Sequence, residues 1–109
     1  MKLLLDTHAL LWWDEDELPK AVTKRIQRAD EVFVSAASAW EIEIKAALGT
    51  IDARGDLETL IADYGFLELP VTIRHTRALR GLPSHHRDPF DRLLIAQALA
   101  DDLVLVTSD

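Results

Sequence analysis

The sequence predicts an α/β fold, in which a central parallel sheet is covered by helices on both faces. Apolar runs of strand length alternate with segments of helical periodicity, and this alternation is typical of βαβ units. The first run, Leu3 to Leu5, is apolar without interruption, as expected for a strand buried on both faces. The sequence therefore predicts a three-layer α/β/α architecture with four visible strands.

The elements follow one another in a regular order. "KLLL" is the first predicted strand and "HALLWW" a short helix, and Pro19 suits the start of a helix that runs to about Arg28. "EVFVS" is the second strand. A helix is predicted from Ala36 to Leu48, since Gly49 is a favoured residue just past a helix end. The remaining predictions are a helix from about Asp56 to Tyr64, the strand "FLELP", a helical segment from Thr72 to Gly81, a helix from Pro89 to about Ala100 and the strand "LVLVT".

Length and composition set broad limits on function. With 109 residues the chain is long enough for one compact domain, predicted over residues 1–109. It has no cysteine, which excludes disulfides, zinc–thiolate sites and thiol nucleophiles and fits a cytoplasmic protein. No apolar run approaches the roughly 20 residues needed to cross a bilayer, so we expect no membrane association.

The charge balance is acidic. Twelve Lys and Arg against nineteen Asp and Glu leave a formal charge of −7. This argues against a broad non-specific nucleic-acid binder, because such binders neutralise phosphates with cationic side chains. A nuclease is still compatible with the composition, since carboxylates that hold divalent cations present positive charge to their substrate.

Four acids occupy similar places in the predicted fold. Asp6 and Asp109 each follow an apolar strand, while Glu41 and Asp91 each lie near the start of a helix that follows a strand or loop. Each acid also has a local explanation: Asp6 as a helix cap, with Thr7 as a second candidate for the same cap, Glu41 in a capping box with Ser38 or in a pair with Lys45, Asp91 as a first-turn acid behind the cap Asp88, and Asp109 as a solvated tail.

The recurrence of the acids nevertheless favours a shared site. Strand ends and the following helix starts lie at one edge of a parallel sheet, so the four side chains are expected to converge there. Converging carboxylates repel one another unless a cation neutralises them, and oxygen ligands favour Mg²⁺ or Mn²⁺. Such a site suits phosphodiester hydrolysis, in which the ion activates water and stabilises negative charge on the phosphate.

The chain resembles a known family. The segments "MKLLLDTHALLWW", "VSAASAWEIEIKAALG", "HHRDPFDRLLIAQA" and "LVLVTSD" together closely resemble PIN-domain ribonucleases, specifically the VapC-like toxins of toxin–antitoxin pairs. The resemblance implies Mg²⁺- or Mn²⁺-dependent cleavage of RNA, frequent formation of a homodimer and neutralisation by a cognate antitoxin. By position, it makes Asp6, Glu41, Asp91 and Asp109 the first to fourth metal-binding acids.

One departure from the family concerns the end of the chain. Such toxins usually continue into a further helix and an edge strand after the position of Asp109, so we expect either a fragment or a shortened copy with an exposed sheet edge. The alternative function is therefore a catalytically inactive, truncated PIN-like protein that binds or sequesters an antitoxin.

Other residues near the predicted edge have two interpretations. Lys45, Arg87 and Arg92 are candidates for contacts to RNA phosphates, although for Lys45 the pair with Glu41 is the preferred interpretation. The histidines His8, His85 and His86 are assigned to surface or supporting positions, because neither cysteine partners nor helical spacing between them indicates a zinc site.

The three tryptophans are candidates for base stacking. Trp40 lies on an apolar stripe with Ile44 and Leu48 and is predicted to be core, whereas Trp12 or Trp13 is assigned to an interface with an antitoxin or a second subunit.

Two other classes of α/β protein fit the sequence less well. A phosphoaspartate-forming phosphatase requires an acid two residues after Asp6, where His8 stands. A dinucleotide-binding domain requires a G-x-G-x-x-G turn, which the sequence lacks.

Overall fold

The predicted helices and strands are present with bounds that differ by one or two residues. The computed structural model describes residues 1–52, 55–83 and 88–107. In chain order the elements are β1 (Lys2–Leu5), α1 (Thr7–Asp14), α2 (Lys20–Arg28), β2 (Glu31–Ser35), α3 (Ala36–Ala47), α4 (Leu57–Asp63), β3 (Leu67–Leu69), α5 (Ile73–Ala78), a 3₁₀ turn (Leu79–Gly81), α6 (Pro89–Asp101) and β4 (Val104–Val106). Within these ranges, no helix combines the length and the apolar character that a membrane span requires.

The four strands form one parallel sheet in the order β3-β2-β1-β4. Leu5 pairs with Val34 on one side and Val106 on the other, and Ser35 pairs with Leu69. The predicted α/β/α class is therefore confirmed. The carboxyl edge is defined here as the edge of the sheet at which the four strands end.

The apolar start of the chain is explained by the position of β1 inside the sheet. Leu3, Leu4 and Leu5 are all fully buried. Successive side chains of a strand point to opposite faces, and accordingly Leu3 and Leu5 belong to one apolar cluster while Leu4 belongs to another. The sheet thus separates two cores, each covered by helices.

The apolar stripe predicted for α3 is buried at Ala37, but the prediction is wrong for Trp40, Ile44 and Leu48. The buried residues of this helix are Ala37, Ser38, Glu41 and Ile42, while Trp40 is 62% exposed and Leu48 is 75% exposed. Ser35 ends β2 and caps α3 directly, with its hydroxyl accepting a hydrogen bond from the Ala37 N–H at 3.0 Å. We attribute the orientation of α3 to this immediate connection together with the long-range hydrogen bonds of Ser38 and Glu41 to Thr7, which bury small and polar residues and leave Trp40 outside the core.

A buried polar cluster ties α5 to the end of α6. His75 is 1% exposed, and its Nδ1 accepts a hydrogen bond from the Thr72 N–H at 3.0 Å. The proton of the neutral ring is therefore on Nε2, and this N–H donates a hydrogen bond to the Asp101 Oδ2, which lies 2.7 Å away. Arg74 also donates to Asp101. This cluster holds α5 against the C-terminal end of α6.

Candidate functional site

Asp6 lies at the carboxyl edge, directly after β1. Its Oδ1 accepts a hydrogen bond from the Ala9 N–H at 2.7 Å, which makes Asp6 the cap of α1. Its own backbone N–H donates to the Val106 carbonyl at 3.0 Å, so the residue is held beside the end of β4. The predicted capping role is thus confirmed, and it coexists with a position at the edge where the site is expected.

Glu41 is a buried carboxylate, 4% exposed, on the inner face of α3. The Thr7 Oγ1 lies 2.6 Å from Glu41 Oε1 and 3.0 Å from the Ser38 Oγ. Because a hydroxyl carries one proton and a carboxylate only accepts, Thr7 donates to Glu41, and Ser38 in turn donates to Thr7. The start of α1 therefore holds the Glu41 carboxylate in one orientation.

Lys45 supplies the second hydrogen bond to Glu41. Its Nζ lies 2.7 Å from Glu41 Oε2, which confirms the predicted i,i+4 pair. The hydrogen bond to Glu41 is the main cause that raises the pKa of Lys45, and the negative charges of Glu41, Asp88 and Asp91 raise it further against the opposing effect of desolvation. One ammonium group thus interacts with three carboxylates from α3 and the start of α6.

The charge state of Glu41 follows from opposing effects. Burial raises the pKa of its carboxyl group, because desolvation disfavours the charged form. Hydrogen bonds from Lys45 and Thr7, together with the charges of Lys45 and His8, outweigh that effect and hold the pKa below its ordinary value. The site therefore contains an ionised carboxylate in a largely buried position.

The start of α6 brings two further acids to the same region. Asp88 Oδ1 accepts a hydrogen bond from the Phe90 N–H at 2.9 Å, with Pro89 at the first helical position, so the predicted cap is confirmed. Asp91 lies in the first turn of α6 and is exposed. An acid here interacts favourably with the helix dipole. Phe90, the residue before Asp91, meets Trp40 edge to face, with ring centroids 5.1 Å apart.

Not every predicted residue can be assigned to this region. Asp109, Arg87, His85 and His86 lie outside the described residues. Arg92 donates from Nη1 to the Pro83 carbonyl at 2.8 Å. Among residues 1–52, 55–83 and 88–107, no three His, Asp or Glu side chains lie close enough together to hold a metal ion.

The sequence does not predict the hydrogen bonds that Thr7 and Ser38 make around Glu41. It predicts Thr7 as a second candidate for the cap of α1 and Ser38 as the start of a capping box with Glu41, whereas the cap of α3 is Ser35. The sequence positions of both residues nevertheless indicate that they lie near the candidate acids. Thr7 follows the strand-end acid directly, and Ser38 lies three residues before Glu41, the spacing that puts two helix residues on one face.

A separate cavity lies beside this site. It has a volume of 490 Å³ and is bordered by α1, α3, α4 and the segment before α4. Its floor includes Leu10, Leu11 and Ile42, and its rim carries acids that include Glu15 and Glu17. The lining does not include the predicted site acids Asp6, Glu41 and Asp91.

The fold and the site together define a class of protein, namely an α/β/α domain with a parallel sheet and a buried, hydrogen-bonded carboxylate on the helix that follows β2. The model of the PIN domain family matches residues 3–109, and the chain belongs to this family. PIN domains are generally nucleases and typically use divalent metal ions, which supports nuclease activity as a class for this chain. A comparison with curated proteins found no match.

Proposed function

We propose that the protein is a Mg²⁺- or Mn²⁺-dependent endoribonuclease of the VapC-like toxin type. In this proposal Asp6, Glu41, Asp91 and Asp109 form the carboxylate set of the site. The observation that carries the proposal is the buried Glu41 carboxylate, which shares the Lys45 ammonium with the charges of Asp88 and Asp91. Burying an acid is costly, so an acid retained at the carboxyl edge favours a chemical role.

The donor set fits a divalent metal ion in two respects. The candidate ligands are carboxylate oxygens, which hard cations such as Mg²⁺ and Mn²⁺ prefer. In addition, the one positive charge of Lys45 interacts with the three negative charges of Glu41, Asp88 and Asp91, which leaves a net negative charge for a metal ion to neutralise. When bound, the metal ion supplies a lowered pKa for water and stabilises negative charge on the attacked phosphate.

The side chains of the protein have separate roles in this proposal. Thr7 orients Glu41 through the 2.6 Å hydrogen bond, and Asp88 fixes the start of α6 so that Asp91 lies in its first turn. Lys45 keeps Glu41 ionised before the metal binds. The Lys45 ammonium, whose side chain is 33% exposed, would also be within the region that an RNA phosphate occupies, and Arg87 and Arg92 are further candidates for that contact.

We propose a cognate antitoxin as the protein partner, with the 490 Å³ cavity as its docking site. The apolar floor at Leu10, Leu11 and Ile42 and the acidic rim at Glu15 and Glu17 are complementary to a peptide that is amphipathic and basic. Exchange of both rim acids for lysine is expected to weaken antitoxin binding without changing RNA cleavage. Unchanged binding would show that the antitoxin does not dock in this cavity.

A homodimer, expected from the family resemblance, is likewise a proposal, and sedimentation velocity tests it.

The nuclease activity itself is tested with purified, antitoxin-free protein and an end-labelled structured RNA. Cleavage is expected with Mg²⁺ or Mn²⁺ and not with EDTA. Asp6→Asn, Glu41→Gln and Asp91→Asn are each expected to reduce cleavage to the level measured with EDTA. Variants purified in the same way also reveal any contaminating ribonuclease, because its activity would persist in all of them.

Asp56→Asn is the matched control for the acid substitutions. Asp56 caps α4 through a 3.0 Å hydrogen bond to the Glu58 N–H, as Asp6 caps α1, but it is not among the predicted site acids. This variant is expected to cleave like the wild type. A folded wild-type protein that binds antitoxin but cuts no RNA with either metal would contradict the proposal and support an antitoxin-sequestering role.

A further inference from the structure

Trp40 is a large apolar side chain in an unusual position. It precedes Glu41 in α3, yet its side chain is 62% exposed whereas that of Glu41 is buried. Fully solvated indole rings are uncommon because tryptophan buries a large apolar area when it packs. An exposed tryptophan beside a candidate active site therefore indicates a binding surface.

Phe90 fixes the position of this indole. The two ring centroids are 5.1 Å apart and the ring planes are inclined by 69°, an edge-to-face arrangement. Such a contact covers at most one face of a ring, and the exposure of Trp40 shows that much of the indole stays open. Phe90 lies between Asp88 and Asp91, so the aromatic pair joins the two helices that carry the candidate carboxylates.

We propose that Trp40, supported by Phe90, stacks on an unpaired base of the RNA next to the phosphate that is cleaved. This inference rests on the proposed ribonuclease function and adds a residue that binds substrate. Aromatic side chains are general platforms for unpaired bases because every base offers a π-face. An indole that precedes Glu41 and contacts Phe90 at the start of α6 would bring the phosphate next to the stacked base close to the candidate carboxylates.

A protein partner is the competing occupant of this surface. Ile44 and Leu48 extend the exposed apolar face along α3, and they are 37% and 75% exposed. The centres of protein interfaces are, however, depleted in charged residues. The ring pair is bracketed by Glu41, Asp88 and Asp91 in sequence, and the Lys45 ammonium lies 2.7 Å from Glu41. These charged neighbours argue against the centre of a protein interface, whereas the face of an unpaired base carries no charge that they would repel.

The test measures RNA affinity separately from cleavage. Binding of a short, fluorescein-labelled single-stranded RNA of random sequence is followed by anisotropy in the Asp91→Asn background with excess Mg²⁺. Trp40→Leu is expected to weaken binding about tenfold, as for loss of one stacked base, whereas Trp40→Phe keeps most of the affinity. Addition of RNA is expected to quench tryptophan emission in the parent protein, with the quenching lost in Trp40→Phe.

Trp12→Leu is the matched control, because Trp12 is also an exposed tryptophan, 38% exposed, but lies on α1. It is expected to bind RNA like the parent, and in the otherwise wild-type protein it is expected to leave the KM for cleavage unchanged while Trp40→Leu raises it. Equal RNA affinity of Trp40→Leu and its parent would overturn the inference.

Two further outcomes separate this inference from the proposed function. If Trp40→Leu dissociates a dimer in sedimentation velocity while RNA affinity is unchanged, the surface is an interface between copies and the stacking role is wrong. If RNA binding depends on Trp40 but the wild type never cleaves, the nuclease proposal fails and the stacking surface stands. If no RNA binds at all, both fail.

Discussion

Substitution of Lys45 by methionine removes one ammonium group and keeps most of its apolar stem. Its Nζ is 2.7 Å from Glu41 Oε2, and Glu41 is almost completely buried. Loss of one partner from a fully buried ion pair costs about 3–5 kcal/mol, whereas an exposed pair contributes about 1 kcal/mol or less. The Lys45 side chain is 33% exposed and Thr7 still hydrogen-bonds Glu41. We therefore expect a loss of about 2 kcal/mol.

The effect is measured by urea unfolding in EDTA at neutral pH, with tryptophan fluorescence as the signal. A double-mutant cycle with Glu41→Gln isolates the interaction between the two side chains. We expect Lys45→Met to destabilise the wild type by about 2 kcal/mol and the Glu41→Gln variant by much less. Equal effects in both backgrounds would refute the ion pair as a source of stability.

The same variant changes the dependence of stability on pH. The folded-state pKa of Glu41 is lowered from an ordinary value of 4.5, so its ionisation stabilises the fold above that value and the contribution is lost as pH falls through the folded pKa. Without the Lys45 ammonium, the folded pKa rises. The loss of this contribution is therefore expected at higher pH in Lys45→Met than in the wild type. The same loss of unfolding free energy at acid pH in both proteins would contradict this explanation.

Three further predictions follow from the same contacts. Lys45→Met is expected to tighten Mn²⁺ binding in calorimetry, because the Lys45 ammonium no longer competes with the ion; weaker binding would contradict this competition. Thr7→Val is expected to cost about 1–3 kcal/mol in urea unfolding, since one oxygen of the buried Glu41 loses its donor, whereas Thr7→Ser retains the hydroxyl and serves as the control. Asp101→Asn is expected to destabilise the fold at neutral pH and to flatten its acid limb. The reason is that the hydrogen bond from Arg74, assisted by the His75 contacts, holds the pKa of Asp101 below 3.8 despite some desolvation. This stabilisation is lost as pH falls through the lowered pKa. The same loss of stability at acid pH in Asp101→Asn and wild type would contradict the explanation.

The order of elements and the parallel sheet were predictable because they depend on local periodicity. An apolar strand such as Leu3 to Leu5 is buried on both faces wherever it lies in such a sheet. The Asp88 cap, the Lys45–Glu41 pair and the helix end at Gly49 were also predictable, since each depends on residues a few positions apart. Gly49 indeed adopts a φ of +76° just after α3, where glycine has no steric penalty.

The rotation of α3 was not predictable from its own residue types. Counting apolar positions placed Trp40 inside, but the contacts of Ser38 and Glu41 with Thr7 come from a helix some thirty residues earlier in the chain. The buried cluster around His75 and Asp101 has the same origin, because its partners meet only after α5 packs on α6. Long-range polar contacts carry no periodic signal, so they emerge only from the folded chain.

The most direct test of the central claim is a calorimetric titration of Mn²⁺ into the purified protein, the Asp6→Asn variant and the Asp56→Asn control. Asparagine is as good a helix cap as aspartate, so Asp6→Asn removes one negative charge from the carboxyl edge and keeps the start of α1. We expect saturable binding by the wild type and by Asp56→Asn, and greatly weakened binding by Asp6→Asn. A folded wild-type protein that binds no Mn²⁺, or equal binding by Asp6→Asn, would contradict a metal-dependent site at this edge of the sheet.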